Sequence, residues 1–260
     1  MDQSHIAQAA GLLWRTRIER RRIDSLPDHL RPRSLAEGYA IQDAMVATAA
    51  HPVSGWKIAA TSKAGQEHIG VTEPLAGRLF KNFILQDGAR LPAGPLHMKV
   101  MEAEFAFRMA RDLAPRSAAY EQAEVCDAVA ALHLAIEIPD ARFERFAEIG
   151  PAQIVADDAF ASWFLLGPEV RDWRHLDLSA QRVQVTKNGA LAADGSGANA
   201  LGDPRIALTW LANHLAQRGI GLKDGDIITT GTCITPLAVA PRDQVVAEFI
   251  GLGRTTVGFD

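Results

Sequence analysis

Cysteine is nearly absent: Cys126 and Cys233 are the only two in 260 residues. Two thiols cannot build a disulfide scaffold or a four-cysteine zinc site. The eight histidines never fall into H-E-x-x-H or another zinc spacing. There is no G-x-S-x-G nucleophile elbow and no phosphate-binding loop. Gly195-Ser196-Gly197 precedes Gly202 at a spacing that does not close a dinucleotide-binding turn. No apolar stretch approaches the ~20 residues of a membrane span. Charge is balanced, with 27 basic against 31 acidic residues and no charged tail, so nothing marks nucleic acid or a membrane surface as a partner. Aromatics are sparse at 7%, yet 48% of residues are hydrophobic. That content excludes a disordered chain and fills one sizeable core.

Residues 1–22 place Ile6, Ala9, Ala10 and Leu13 before the basic run Arg15 to Arg22. A signal peptide has the opposite order, so a cytoplasmic location is expected. The arginines read as the solvated C-terminal end of a helix, where cations suit the dipole. Ser34-Leu35-Ala36-Glu37 has capping-box form, and Leu35, Tyr39, Val46 and Ala49 follow on one helical face. His51-Pro52 stops that helix. From Val53, short apolar pieces alternate with Gly and Pro, which predicts strands and turns. Val100 to Met109 alternates strictly and is the clearest strand. Ala118 to Ala131 is a helix candidate running into a second alternating strand, Leu132 to Ile138. Asn188-Gly189 marks a hairpin between Val183–Thr186 and Ala190–Ala193. Asp203-Pro204 opens a helix with Leu208, Leu211 and Leu215 inward and Gly219 at its end. Asp226–Thr230 and Val245–Phe249 are later strands. Strands and helices do not alternate regularly, so the expected class is α+β rather than a Rossmann fold or barrel.

Three carboxylates and one lysine stand out. On the Val100–Met109 strand, Met101, Ala103, Phe105 and Phe107 share one face and Glu102 and Glu104 the other. Two adjacent carboxylates repel unless water or a cation screens them. The pair therefore marks either a half-solvated strand or a cation site. Glu137 lies in an otherwise apolar run, where an acid needs a partner. Three carboxylates from two strands form an all-oxygen set suited to Mg²⁺ or Mn²⁺, which could polarise a carbonyl as a Lewis acid. Lys57, between Trp56 and Ile58, is either a lysine with its stem on the indole or a desolvated amine with a lowered pKa, usable for proton transfer. Thr61-Ser62 adds loop hydroxyls. Cys233 beside Thr232 reads as a small buried hydrophobe rather than a nucleophile.

These pieces occur together as GWKIAATSKAGQEHIGVTEPLAGRLF (55–80), VMEAEFAF (100–107), LAIEIPDARF (134–143), IVADDAF (154–160) and GSGANALGDPRIALTWLANHLAQRGIGLKDGDIITTGT (195–232). Over nearly its full length the chain resembles the 2-keto-4-pentenoate hydratase and 4-oxalocrotonate decarboxylase family of the fumarylacetoacetate hydrolase superfamily. The resemblance implies a mixed, rolled β-sheet core with an N-terminal helical layer. It divides the chain into residues 1–80, a helical and small-strand part carrying the lysine motif, and 81–260, a β-rich, metal-binding catalytic domain. It implies Mg²⁺ or Mn²⁺ on Glu102, Glu104 and Glu137, and catalytic roles for Lys57 and Asp157. Thr61, Ser62, Phe160, Thr230, Gly231 and Thr232 are then substrate-binding. The implied substrate is a small 2-oxo acid from aromatic catabolism, and the implied reaction is hydration of 2-hydroxypenta-2,4-dienoate. The alternatives are decarboxylation of 4-oxalocrotonate, or a non-catalytic partner subunit. A homo-oligomer, and association with a related decarboxylase, are also implied. Two departures from the family pattern stand out. Asp158 and Phe160 replace the Asn and Ser common in V-A-D-N-A-S, and Ala59 replaces a glycine after the lysine pair.

Overall fold

The computed structural model describes the backbone of all 260 residues and every side chain except that of His68. In chain order the helices are α1 (Gln3–Ile18), α2 (Leu35–Ala49), α3 (Lys63–Ile69), α4 (Gln122–Asp127), α5 (Pro151–Ala156) and α6 (Pro204–Gln217). The first strands are β1 (Val53–Ala59), β2 (Leu75–Phe80), β3 (Ile84–Gln86), β4 (Arg90–Leu91), β5 (Val100–Met109), β6 (Val129–Ile138) and β7 (Trp163–Val170). They are followed by β8 (Arg182–Lys187), β9 (Ala190–Ser196), β10 (Ile227–Thr232), β11 (Leu237–Ala238), β12 (Gln244–Phe249) and β13 (Gly253–Phe259).

Eight strands form a mixed, curled sheet in the order β2-β1-β10-β5-β6-β7-β3, with β11 added beside β5. Five more form a second sheet, β4-β13-β12-β8-β9. The pairs β1–β10, β3–β7 and β4–β13 are parallel and the rest antiparallel. This is the expected α+β class with a rolled mixed sheet. The apolar faces of β5 and β6 meet the second sheet, and Phe105 packs edge-on against Phe249 with centroids 4.9 Å apart. Alternation sends Met101, Ala103, Phe105 and Phe107 into that core. Glu102 and Glu104 are thereby turned to the opposite face. On β6, Leu134, Ile136 and Ile138 are buried in the same core, which turns Glu137 to the carboxylate side.

Helices α1 and α2 cover a second core of Leu13, Leu26, Ile41, Met45, Phe80 and Phe143. The inward stripe of α2 is Ile41, Met45 and Ala49 beside Tyr39 and Gln42; Leu35 and Val46, expected on it, are only half-buried. Ser34 caps α2 as expected. Glu37, however, reaches past it to the amide of Arg33 (2.7 Å) and to the N-terminal ammonium (2.5 Å). The expected helix over Ala118–Ala131 shrinks to α4, because Val129 and Ala131 pair with Met109 and Arg108 in the central ladder. Tertiary pairing overrides alanine's helix preference there. The lysine strand β1 is hydrogen-bonded between β2 and β10, three ladders from β6, the strand bearing Glu137.

Candidate active site and metal centre

Glu102 on β5 stands directly opposite Glu137 on β6, and Glu104 lies two residues further along. One oxygen from each of the three falls within 4.8 Å of the others. Glu104 is fully buried and Glu137 nearly so. Glu104 is aimed by hydrogen bonds to Oε2, from the Thr229 hydroxyl and from the amide of Gly231 at 2.8 Å. Its Oε1 and the Oε2 of Glu137 are buried with no donor. Lys57 Nζ lies 3.1 Å from Glu137 Oε1 and donates to the carbonyl of Ala159, also at 3.1 Å.

The electrostatics follow from this crowding. Burial, then repulsion by Glu137, pushes Glu102 up to about 7. Burial and the other two carboxylates hold Glu104 well above the ordinary range. Burial also raises Glu137, against the pull of Lys57. The expectation for Lys57 is corrected. Burial works to lower its pKa, but the attraction of Glu137, Glu102 and Glu104 outweighs it, and the amine sits above its usual value. Three carboxylates face one ammonium, so that full ionisation would leave two negative charges uncompensated, and two buried oxygens have no donor. A hard divalent cation fits that donor set and that charge.

A cavity of about 490 Å³ opens beside the cluster. Its walls include Lys57, Ala59, Thr61, Ser62, Glu102, Phe160, Gly231 and Thr232, together with Met98, Pro139, Ile154, Asn199 and Ile234, which sequence reasoning missed. Residues 234–236, in the irregular stretch between β10 and β11, line one side. Thr61 packs so tightly on Gly231 that a Cβ at 231, where φ is +97°, would come within 2.1 Å of its hydroxyl. Ser62 caps α3 by accepting from the amide of Gly65 at 3.0 Å; its capping role and α3 itself were not expected.

Two expected residues stand behind the cavity rather than on its wall. The Thr230 hydroxyl donates to the carbonyl of Phe105 at 3.0 Å. Asp157 accepts from the Arg142 side chain and amide; burial pushes it up to about 6 against the pull of Arg142. Its neighbour Asp158 accepts from the Arg78 amide (2.7 Å) and from Arg17 Nη1 (3.0 Å). This corrects the reading of Arg15–Arg22 as a solvated helix end: Arg17 is buried and charge-paired. Cys233 is buried too, and burial pushes its thiol far up, as suits a small hydrophobe.

Asp158, Ala159 and Phe160 all have positive φ, at 58°, 50° and 60°. This left-handed geometry costs roughly 1–2 kcal/mol per L-residue. It turns the Ala159 carbonyl to Lys57 and places Phe160 on the cavity wall.

A rolled sheet that gathers three carboxylates and a lysine beside one cavity is the arrangement of a metal-assisted enzyme. Residues 66–259 match the family described as fumarylacetoacetate (FAA) hydrolase C-terminal. The 2-keto-4-pentenoate hydratase of Burkholderia vietnamiensis is 32% identical over 261 residues, covering 99% of this chain and 98% of that one. A 4-oxalocrotonate decarboxylase of Pseudomonas putida is 31% identical over 210 residues, covering 80% of this chain and 77% of that one. Among solved structures, 4-oxalocrotonate decarboxylase from Pseudomonas putida G7, complexed with magnesium and adipate, superposes with a TM-score of 0.92 at 26% identity, over 100% of this chain and 99% of that one. The chain belongs to the fumarylacetoacetate hydrolase superfamily, within its 2-keto-4-pentenoate hydratase and 4-oxalocrotonate decarboxylase group. It is an enzyme of lyase type with a divalent-cation site.

Proposed function

We propose that this enzyme decarboxylates a linear unsaturated 2-oxo diacid of the 4-oxalocrotonate kind. Both reactions of the group, hydration and decarboxylation, act on a 2-oxo acid. One observation favours the second. Among the described residues, Lys57 and Glu102 are the only ionisable side chains lining the cavity, and Ile69, Ile154, Phe160 and Ile234 supply apolar wall. Hydration needs a base to activate water at a carbon remote from the carboxylate cluster, and among the described residues that wall offers none. Decarboxylation needs an electron sink, a desolvated carboxylate and a proton donor.

Glu102, Glu104 and Glu137 would hold Mg²⁺, the hard cation suited to three carboxylates. When bound, the cation draws electron density from a chelating 2-oxo acid. The substrate's C5–C6 bond breaks and carbon dioxide leaves. The bonding pair forms C4=C5, the C3=C4 pair moves to C2=C3, and the 2-oxygen takes the charge. Lys57, held protonated by Glu137, returns a proton to give the hydroxydienoate. The apolar wall keeps water from the departing carboxylate, and Phe160 limits the tail. The adipate in the similar decarboxylase is likewise a six-carbon diacid.

Hydration remains the second reading, favoured by the hydratase relative that spans the whole chain. Purified protein with Mg²⁺ is given 4-oxalocrotonate and, separately, 2-hydroxypenta-2,4-dienoate, with carbon dioxide release and ultraviolet absorbance followed together. Carbon dioxide from the diacid supports the proposal. Loss of diene absorbance without carbon dioxide assigns hydration. Inactivity on both, with bound metal, points to a partner subunit.

A further inference from the structure

We propose that the buried Arg17–Asp158 ion pair is a positioning device: it ties helix α1 to the left-handed turn that holds Lys57 and carries Phe160, and so governs both turnover and tail preference. The inference rests on the roles proposed above for those two residues.

The turn cannot hold its shape by itself. Three successive L-residues at positive φ relax unless their surroundings over-determine them. The surroundings are specific. Asp158 has both oxygens engaged, Oδ1 by the Arg78 amide at 2.7 Å and Oδ2 by Arg17 Nη1 at 3.0 Å. The Phe160 carbonyl accepts from the Asp140 amide at 3.0 Å, and Arg142 Nη1 donates to the Ala161 carbonyl at 3.1 Å. Gly77 completes the fit. A Cβ there would lie 2.3 Å from the Asp158 carbonyl and 3.0 Å from Lys57 Cγ, so turn, lysine stem and strand β2 touch without slack.

Of these anchors, Arg17 is the one that comes from outside the sheet and its loops. It crosses 141 residues of sequence to reach Asp158. Its side chain is 4% exposed, with the guanidinium 4.4 Å over the Phe83 ring. Nε and Nη2 make no hydrogen bond, so Asp158 is its one ion-pair partner among the described residues. A buried ion pair is weak evidence for stability, because well-packed apolar groups often do as well. What it supplies is direction. It fixes the orientation of the Asp158 carboxylate, hence the turn, hence the Ala159 carbonyl that Lys57 Nζ meets and the ring that walls the cavity.

The test is the matched double variant Arg17→Met/Asp158→Asn, which removes both charges and strands neither. Folding is checked by circular dichroism and a cooperative melt. Turnover, KM and Mg²⁺ affinity are measured on two 2-oxo acids differing in tail length. The expected result is a kcat at least tenfold lower, Mg²⁺ affinity unchanged within about twofold, and a shifted preference between the two tails. A folded double variant with wild-type kcat and wild-type preference overturns the inference. If the double variant does not fold, Arg17→Lys decides. It keeps the charge but not the guanidinium geometry, and wild-type kcat and preference in it overturn the inference equally. Lys57→Met runs alongside. Full turnover in that variant removes the proton-transfer role of Lys57, and the tail preference, which reads Phe160, then decides the pair alone.

Discussion

Two buried acidic clusters lie within one site, and they are balanced differently. Glu102, Glu104 and Glu137 face a single ammonium, Lys57, and two of their oxygens have no donor. Asp157 and Asp158 face two guanidiniums, Arg142 and Arg17, and all their oxygens are engaged. Similar acids therefore serve opposite ends. The uncompensated cluster is the proposed cation site. The compensated one fixes a strained turn. Charge left over inside a fold, rather than charge as such, is what marks the reactive centre.

Breaking the uncompensated cluster has the largest expected effect. Glu104→Gln keeps the fold and loses activity by orders of magnitude; full activity after chelator treatment would remove the metal from the account. Lys57→Met comes next, with turnover down about 10²–10⁴-fold, the usual contribution of a positioned acid–base group, and with Mg²⁺ affinity intact. Wild-type turnover would make Lys57 a packing residue.

Stability sharpens the contrast, because its sign reverses between the clusters. Asp158→Asn strands Arg17 in the interior, and breaking a buried pair costs about 3–5 kcal/mol. Glu102→Gln relieves repulsion, so the metal-free protein should melt at a higher temperature than wild type. Calorimetry in chelator reads both, and a lower melting temperature for Glu102→Gln would contradict the account. The pH dependence follows the same logic. A carboxyl raised to about 7 in the folded chain, against 4.5 ordinarily, binds a proton there that the unfolded chain releases. Metal-free stability thus falls as pH rises from about 4.5 to about 7. Mg²⁺ must displace that proton, so its affinity climbs over the same window; a flat affinity from pH 5 to 8 would not fit. The smallest effect is at Phe160. Phe160→Ser should shift selectivity between short and long tails by about 1–3 kcal/mol, the range of a changed apolar contact. Unchanged preference would place residue 160 outside the substrate's reach.

The uncompensated cluster was legible in the sequence and the compensated one was not. Alternation along Val100–Met109 announces two carboxylates on one face, and Glu137 is conspicuous inside an apolar run. Both are local patterns of period two. The Asn188-Gly189 hairpin and the Asp203 cap were legible for the same reason, since each is a short-range rule. Arg17 hides in a run of arginines, and its partner lies 141 residues away. No periodicity carries that pairing. Asp158 looked like a departure from the family pattern until its buried cation was in view. Thr229 was passed over for the adjacent Thr230-Gly231-Thr232, because strand register alone decides which hydroxyl meets Glu104. The helix expected at Ala118–Ala131 failed through a competition that local propensity does not see, the pull of the central ladder on Val129 and Ala131.

The central claim, that the leftover charge of Glu102, Glu104 and Glu137 holds a divalent cation, is tested most directly by calorimetric titration of chelator-treated protein with Mg²⁺ at pH 8. The account predicts one ion per chain in the wild type, loss of that binding in Glu104→Gln, and retention in Phe160→Ser. Absence of binding in the wild type, or binding unchanged in Glu104→Gln, would contradict it.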